Sequence, residues 1–110
     1  MIDLATKKCE PCTAKTPKLD EKRIALLLKS LPQWSVKNGR LVRALGFKDF
    51  LAAMAFVKKV ADLAESEQHH PDISIHDWNK VDLSIWTHAI GGFSENDFVL
   101  AAKIDLLGAK

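Results

Sequence analysis

The chain has 110 residues, 47% of them hydrophobic, which suits one domain around one core and leaves little material for a second. Its 16 basic and 14 acidic residues give a formal charge of +2 and are spread without runs, so the electrostatic footprint of a dedicated nucleic-acid binder is missing. The longest apolar run, residues 50–57, is far shorter than the roughly 20 residues a membrane span needs, and no apolar signal core precedes it. The expectation is a soluble cytoplasmic protein with neither membrane nor nucleic acid as a direct partner.

Residues 1–19 show little periodicity and read as an N-terminal arm ahead of a single domain over residues 20–110. The arm carries Cys9-Glu10-Pro11-Cys12. A four-ligand zinc site would need a second cysteine or histidine pair nearby, and a thioredoxin-like pair would need a βαβ context. The two cysteines therefore read as reduced thiols on a loosely docked arm.

A first helix begins near Asp20, whose carboxylate can accept from the free N–H groups of the first turn, and Ile24, Leu27, Leu28 and Leu31 recur at helical spacing up to Pro32. Residues 34–36 and 41–47 follow as two short strands, with Asn38-Gly39 supplying a tight hairpin turn. A second helix over residues 49–67 sets Phe50, Met54, Val57, Ala61 and Ala64 on one stripe, expected to face the core. Pro71 stops this helix and biases His70 toward an extended conformation, so His69-His70 lies in the connection from helix to strand.

Residues 73–78 and 81–88 form a second hairpin, and its alternation tests its turn. A two-residue Asn79-Lys80 loop would set Ile73 and Ile75 on the face opposite Val81, Leu83 and Ile85, splitting the apolar residues. A three-residue loop, or a bulge, brings all five to one face and turns Ser74, His76, Ser84, Trp86 and His88 to the other. The irregular turn is the expectation. Folding the last strand back along its partner also returns His88 to the level of residues 70–72, and directly opposed residues have Cβ atoms about 5 Å apart. Three histidines distant in sequence thereby become neighbours, whereas His76 reads as an exposed strand residue.

Gly91-Gly92 ends the hairpin, and Ser94-Glu95-Asn96-Asp97 has the form of a capping box that opens a third helix. Phe98, Ala102 and Leu106 form its expected inner stripe, widened by Val99 and Leu107. The order α-β-β-α-β-β-α predicts an α+β fold: a four-stranded antiparallel sheet with three helices packed on one face. An uncovered sheet face or edge invites self-association, so a homodimer or homotetramer is expected.

The run Glu65-x3-His69-His70-Pro71, then six residues to Trp78, nine to His88 and eight to Asp97, closely resembles the signature of the pterin-4a-carbinolamine dehydratases. The resemblance extends from about Asp20 to Ala109 and includes Leu31-Pro32-x-Trp34 and Phe47-Lys48-Asp49-Phe50, while the arm is more like that of bacterial members. It implies dehydration of 4a-hydroxytetrahydrobiopterin to quinonoid dihydrobiopterin, a step of tetrahydrobiopterin recycling, with a small-molecule pterin as substrate and no cofactor. Imidazoles, with an ordinary pKa of ~6.5, can deliver a proton to the hydroxyl and remove one from the ring nitrogen at neutral pH.

By the same resemblance, His69 and His88 are the acid/base groups and His70 chiefly binds and orients the pterin. Gln68, Trp86, Thr87 and Ala89 match positions that line the pterin site, and Glu65 and Asp97 are supporting positions. Two other classes compete. Three histidine ligands could hold a hydrolytic metal, but adjacent histidines in extended chain point apart and no carboxylate joins them at a usual spacing, so no metal is expected. A non-catalytic pterin-binding module is the alternative, since animal members of the family also act as dimerisation cofactors for a homeodomain transcription factor.

Overall fold

The computed structural model describes residues 19–87 and 92–107. Helix α1 (Glu21–Leu28) starts where the Asp20 carboxylate accepts the Arg23 N–H at 2.8 Å. Tightened turns after Leu28 carry Leu31 into the core beside Leu27, and both are fully buried. Strands β1 (Ser35–Lys37) and β2 (Arg40–Gly46) pair with Lys37 opposite Arg40. The two residues between them, Asn38 and Gly39, both have positive φ, at 54° and 73°. That is the twist a two-residue hairpin loop requires.

Helix α2 (Phe50–Glu67) is capped by Asp49, which accepts from Ala52 N–H at 2.8 Å. Its buried residues are Ala53, Phe56, Val60 and Ala64. This corrects the expected stripe: Ala64 is on the inner face and Val57 is half-buried, but Phe50 and Met54 are 49% and 42% exposed and Ala61 faces out. Apolar residues surround the first two turns of α2, so helical periodicity alone leaves two faces nearly equal. The partner surface decides between them: the Phe56 ring packs against Phe47 with centroids 5.1 Å apart.

Strands β3 (Asp72–His76) and β4 (Lys80–Ile85) pair with Ile73 opposite Leu83, Ile75 opposite Val81 and His76 opposite Lys80. Three residues, Asp77, Trp78 and Asn79, make the loop, with Asp77 and Trp78 at φ 47° and 55°. The irregular turn demanded by the alternation is therefore present. Asn79 ties the loop to the first hairpin, donating from Nδ2 to the Phe47 carbonyl at 2.7 Å and accepting the Phe47 N–H at 2.9 Å.

The four strands form one antiparallel sheet in the order β1-β2-β4-β3. Leu41, Leu45, Val81, Leu83 and Ile85 share one face and join Leu27, Phe56, Val60, Phe98, Leu100 and Ile104 in a single buried cluster. All three helices therefore cover the same face, as expected. The opposite face carries Val42, Ala44, Ser74, His76, Asp82 and Ser84. Burying only the alternate residues of each strand is what sets the hydrophobic side of the sheet.

Helix α3 (Glu95–Asp105) opens with the capping box of Ser94 and Asp97. Phe98 and Val99 are buried as expected, with Ala102 and Leu107 half-buried, but Leu106 is 74% exposed at the C-cap. Leu100, Ala101 and Ile104 take the remaining inner positions, because α3 is packed on several sides rather than along one stripe. Lys103 bridges from α3 to Glu67 of α2 at 2.7 Å, and Asp105 accepts from Trp34 Nε1–H at 2.9 Å and pairs with Arg43. These contacts fix α3 against both α2 and the first hairpin.

Candidate active site

Helix α2 ends at Gln68 in the left-handed conformation, φ 54° and ψ 38°, with its N–H returned to the Ala64 carbonyl. Its side chain donates from Nε2 to the Glu65 carbonyl at 2.8 Å, satisfying a second end group of the helix. The reversal at Gln68 and the extended bias before Pro71 send the two histidines opposite ways. His69 points inward and is only 8% exposed; His70 lies on the surface.

Inside, His69 Nε2 lies 2.6 Å from Asp97 Oδ1. Asp97 is fully buried and its other oxygen, Oδ2, accepts from Thr87 Oγ1 at 2.8 Å and from Ser94 N–H at 2.9 Å. The Thr87 and Ser94 hydroxyls also meet at 2.9 Å. Asp97 occupies the first turn of α3, where exposed N–H groups and the helix dipole favour negative charge. One carboxylate thus caps a helix, holds the chain just beyond β4 and grips a histidine.

Outside, His70 Nε2 meets Glu65 Oε2 at 2.5 Å, so Glu65 orients this ring from one turn back on α2. Thr87 bridges across to Gly92 through backbone hydrogen bonds. The neighbouring Trp86 projects to the other side of the sheet, where the Arg40 guanidinium stacks 4.7 Å from its ring centroid and bonds Asp72 at 2.9 Å. His69, Thr87 and Asp97 are thus brought together, Glu65 and His70 form a separate pair, and Trp86 does not join either. His88 and Ala89 lie outside the described residues, as do Cys9 and Cys12.

Sequence reasoning treated Ser94 only as a cap and did not single out Arg40. The capping box itself held the signal for Ser94, because the side chain that reaches back is the same Asp97 that meets His69. His76 is exposed as expected but is not isolated: its Nδ1 lies 3.0 Å from Asp77 and its Nε2 2.9 Å from Asp82. The hydrogen bond to Asp77 raises its pKa above 6.5 against a smaller effect of lost hydration, and the charge of Asp82 adds to the rise. A cavity of about 430 Å³ lies on the uncovered sheet face, lined by Ser35, Lys37, Val42, Ala44, Asp82 and Ser84 among others, away from His69 and Asp97. Among the described residues no three His, Cys, Asp or Glu side chains gather as a metal site, and no helix is long and apolar enough to cross a membrane.

Comparison with known proteins bears on this arrangement. Residues 17–107 match the family described as pterin 4 alpha carbinolamine dehydratase. The chain is 46% identical over 112 residues to pterin-4-alpha-carbinolamine dehydratase 2, mitochondrial, of Arabidopsis thaliana, covering 97% of this chain and 60% of that protein. It is 45% identical over 105 residues to a Nitrosospira multiformis protein provisionally given the same dehydratase name, covering 96% of this chain and 92% of that one. A crystal structure of a transcriptional coactivator/pterin dehydratase from Brucella melitensis superposes with a TM-score of 0.77 at 30% identity, over 83% of this chain and 98% of that one. A pterin dehydratase-like protein identified as a RuBisCO assembly factor in the alpha-carboxysome gives a TM-score of 0.55 at 25% identity, over 70% and 89% of the two chains. With its signature residues, its α-β-β-α-β-β-α order and a match over most of its length, this chain belongs to the pterin 4 alpha carbinolamine dehydratase family.

Proposed function

We propose that the chain dehydrates a 4a-hydroxytetrahydropterin, taken to be 4a-hydroxytetrahydrobiopterin, to its quinonoid dihydropterin by histidine acid/base catalysis, as a step in tetrahydrobiopterin recycling. The observation that carries this reading is the inward-turned His69 held at 2.6 Å by a fully buried carboxylate in a chain of the dehydratase family. A histidine with one nitrogen fixed and its ring oriented is the kind of group that proton transfer at neutral pH requires.

In the reaction, an acid delivers a proton to the 4a-hydroxyl, the C–O bond breaks and water leaves, while the lone pair of the adjacent ring nitrogen forms the new C=N bond. That nitrogen then gives up its proton to a base. We assign the acid and base to His88 and His69. His70, steered by Glu65 on the surface, binds and orients the pterin, and Gln68, Thr87 and Ala89 sit at or beside these histidines in the chain. The Trp86 ring, packed under Arg40, lies next to Thr87 in the chain and on the other side of the sheet. The uncovered sheet face and the edge strands β1 and β3 support a homodimer or homotetramer.

The Brucella melitensis neighbour is called a coactivator as well as a dehydratase, which supports a second reading: a pterin-binding or dimerisation module without turnover. One assay separates the two. Decay of a 4a-hydroxytetrahydropterin is followed with wild type and with His69→Ala, His70→Ala and His88→Ala. Acceleration by wild type that is lost in the His69 and His88 variants supports the enzyme; pterin binding with no acceleration by wild type favours the binding module.

A further inference from the structure

We propose that Asp97 is a positioning residue that locks His69 in its Nε2–H tautomer, so that Nδ1 is the nitrogen that exchanges the proton with substrate; this rests on the dehydratase reading above. Three donors converge on one buried carboxylate. Ser94 N–H can only donate, and it takes Oδ2 at 2.9 Å; Thr87 donates to the same oxygen at 2.8 Å. The α3 N-terminus faces the group as well, and this is an environment for an anionic carboxylate.

An anionic oxygen is an acceptor only, so the 2.6 Å approach of His69 Nε2 to Oδ1 requires the hydrogen on Nε2. The neutral ring then carries its lone pair on Nδ1, which makes no hydrogen bond among the described residues. The proton balance agrees. Nδ1 accepts the proton released by the pterin ring nitrogen as the C=N bond forms and the hydroxyl leaves as water with a proton from the acid. The imidazolium so produced keeps its Nε2–H on Asp97, whose charge it balances, and later returns the proton to solvent. Thr87 and Ser94 act one step further out, holding Oδ2 so that Oδ1 stays aimed at His69.

The test is a long-range ¹H–¹⁵N correlation on the full chain labelled at histidine nitrogen, at a pH where His69 is neutral, combined with kinetics of folded variants. The expected spectrum shows Nε2 protonated and Nδ1 bare. Asp97→Asn is expected to lower kcat about 10- to 100-fold with KM changed less than about twofold. A wild-type spectrum with the proton on Nδ1 overturns the proposal, and does so even if Asp97→Asn fails to fold. A folded Asp97→Asn with wild-type kcat overturns it equally. Failure of the dehydratase reading is separate: it appears as absent turnover in wild type, whatever the tautomer.

Discussion

Thr87 donates its hydroxyl to Asp97 at 2.8 Å, so the chain leaving β4 and the first turn of α3 are fastened by one buried carboxylate. The same carboxylate reaches His69 at the end of α2. Three elements that are far apart in sequence therefore meet at a single side chain, and its removal has consequences for folding as well as chemistry.

Asp97→Ala is expected to cost on the order of 3 kcal/mol. It leaves the buried donors of Ser94 and Thr87 without their acceptor, at about 1–3 kcal/mol each where relaxation fails. Urea unfolding measures it, and a loss under about 1 kcal/mol would mean that water replaces the carboxylate.

The inward face of α2 is tested by a pair of truncations. Phe56→Ala empties a core site and is expected to cost about 3–5 kcal/mol, whereas Met54→Ala on the exposed side should stay within about 0.5 kcal/mol. Equal losses by thermal or chemical unfolding of the monomer would contradict the burial of Phe56 at 4% exposure against 42% for Met54.

Two glycines on β2 and its hairpin should respond with opposite signs. Gly39 sits at φ 73° with open space where a Cβ would stand, so Gly39→Ala costs about 1 kcal/mol through the backbone alone. At Gly46 a Cβ would meet only the Lys80 side chain, at 3.9 Å, and φ is not in the left-handed range. Gly46→Ala should therefore be neutral or add about 0.5 kcal/mol by restricting the unfolded chain. Melting temperatures of the two variants decide it: a Gly39→Ala protein as stable as wild type would refute the turn geometry.

His76 sets a pH dependence. Its pKa is raised above 6.5, chiefly by the hydrogen bond to Asp77 and further by the charge of Asp82. A raised folded value means that the protonated form is favoured in the folded state. The resulting stabilisation is fully present below pH ~6.5 and is lost as pH rises through the folded value. The group is solvent-exposed, so the effect is small and is best read directly, by NMR titration of the His76 ring. An Asp77→Asn protein should titrate at lower pH than wild type, and an unmoved midpoint would remove Asp77 as the cause.

Most of the fold was legible because its signals are local. Asp20, Asp49 and the Ser94/Asp97 box mark helix starts through side chains that satisfy backbone N–H groups within three residues. Asn38-Gly39 marks a hairpin through its tolerance of positive φ. That the second hairpin has an irregular turn, either a three-residue loop or a bulge, followed from alternation, which must keep Ile73, Ile75, Val81, Leu83 and Ile85 on one face; the structure resolves it as a three-residue loop at residues 77–79.

Partnerships across the chain were not legible in this way. Residues 50–57 are apolar on every side, so nothing in α2 itself distinguishes the Phe56 face from the Met54 face until the sheet and α3 offer something to bury. Nor does a capping aspartate announce that its second oxygen will meet a histidine 28 residues earlier. What the amino-acid order determined by itself was where helices, strands and turns begin and end, because those depend on hydrogen bonds between near neighbours. Only the tertiary structure decided which helix face is core and which histidine is gripped by Asp97, because those depend on surfaces that do not exist until the elements pack.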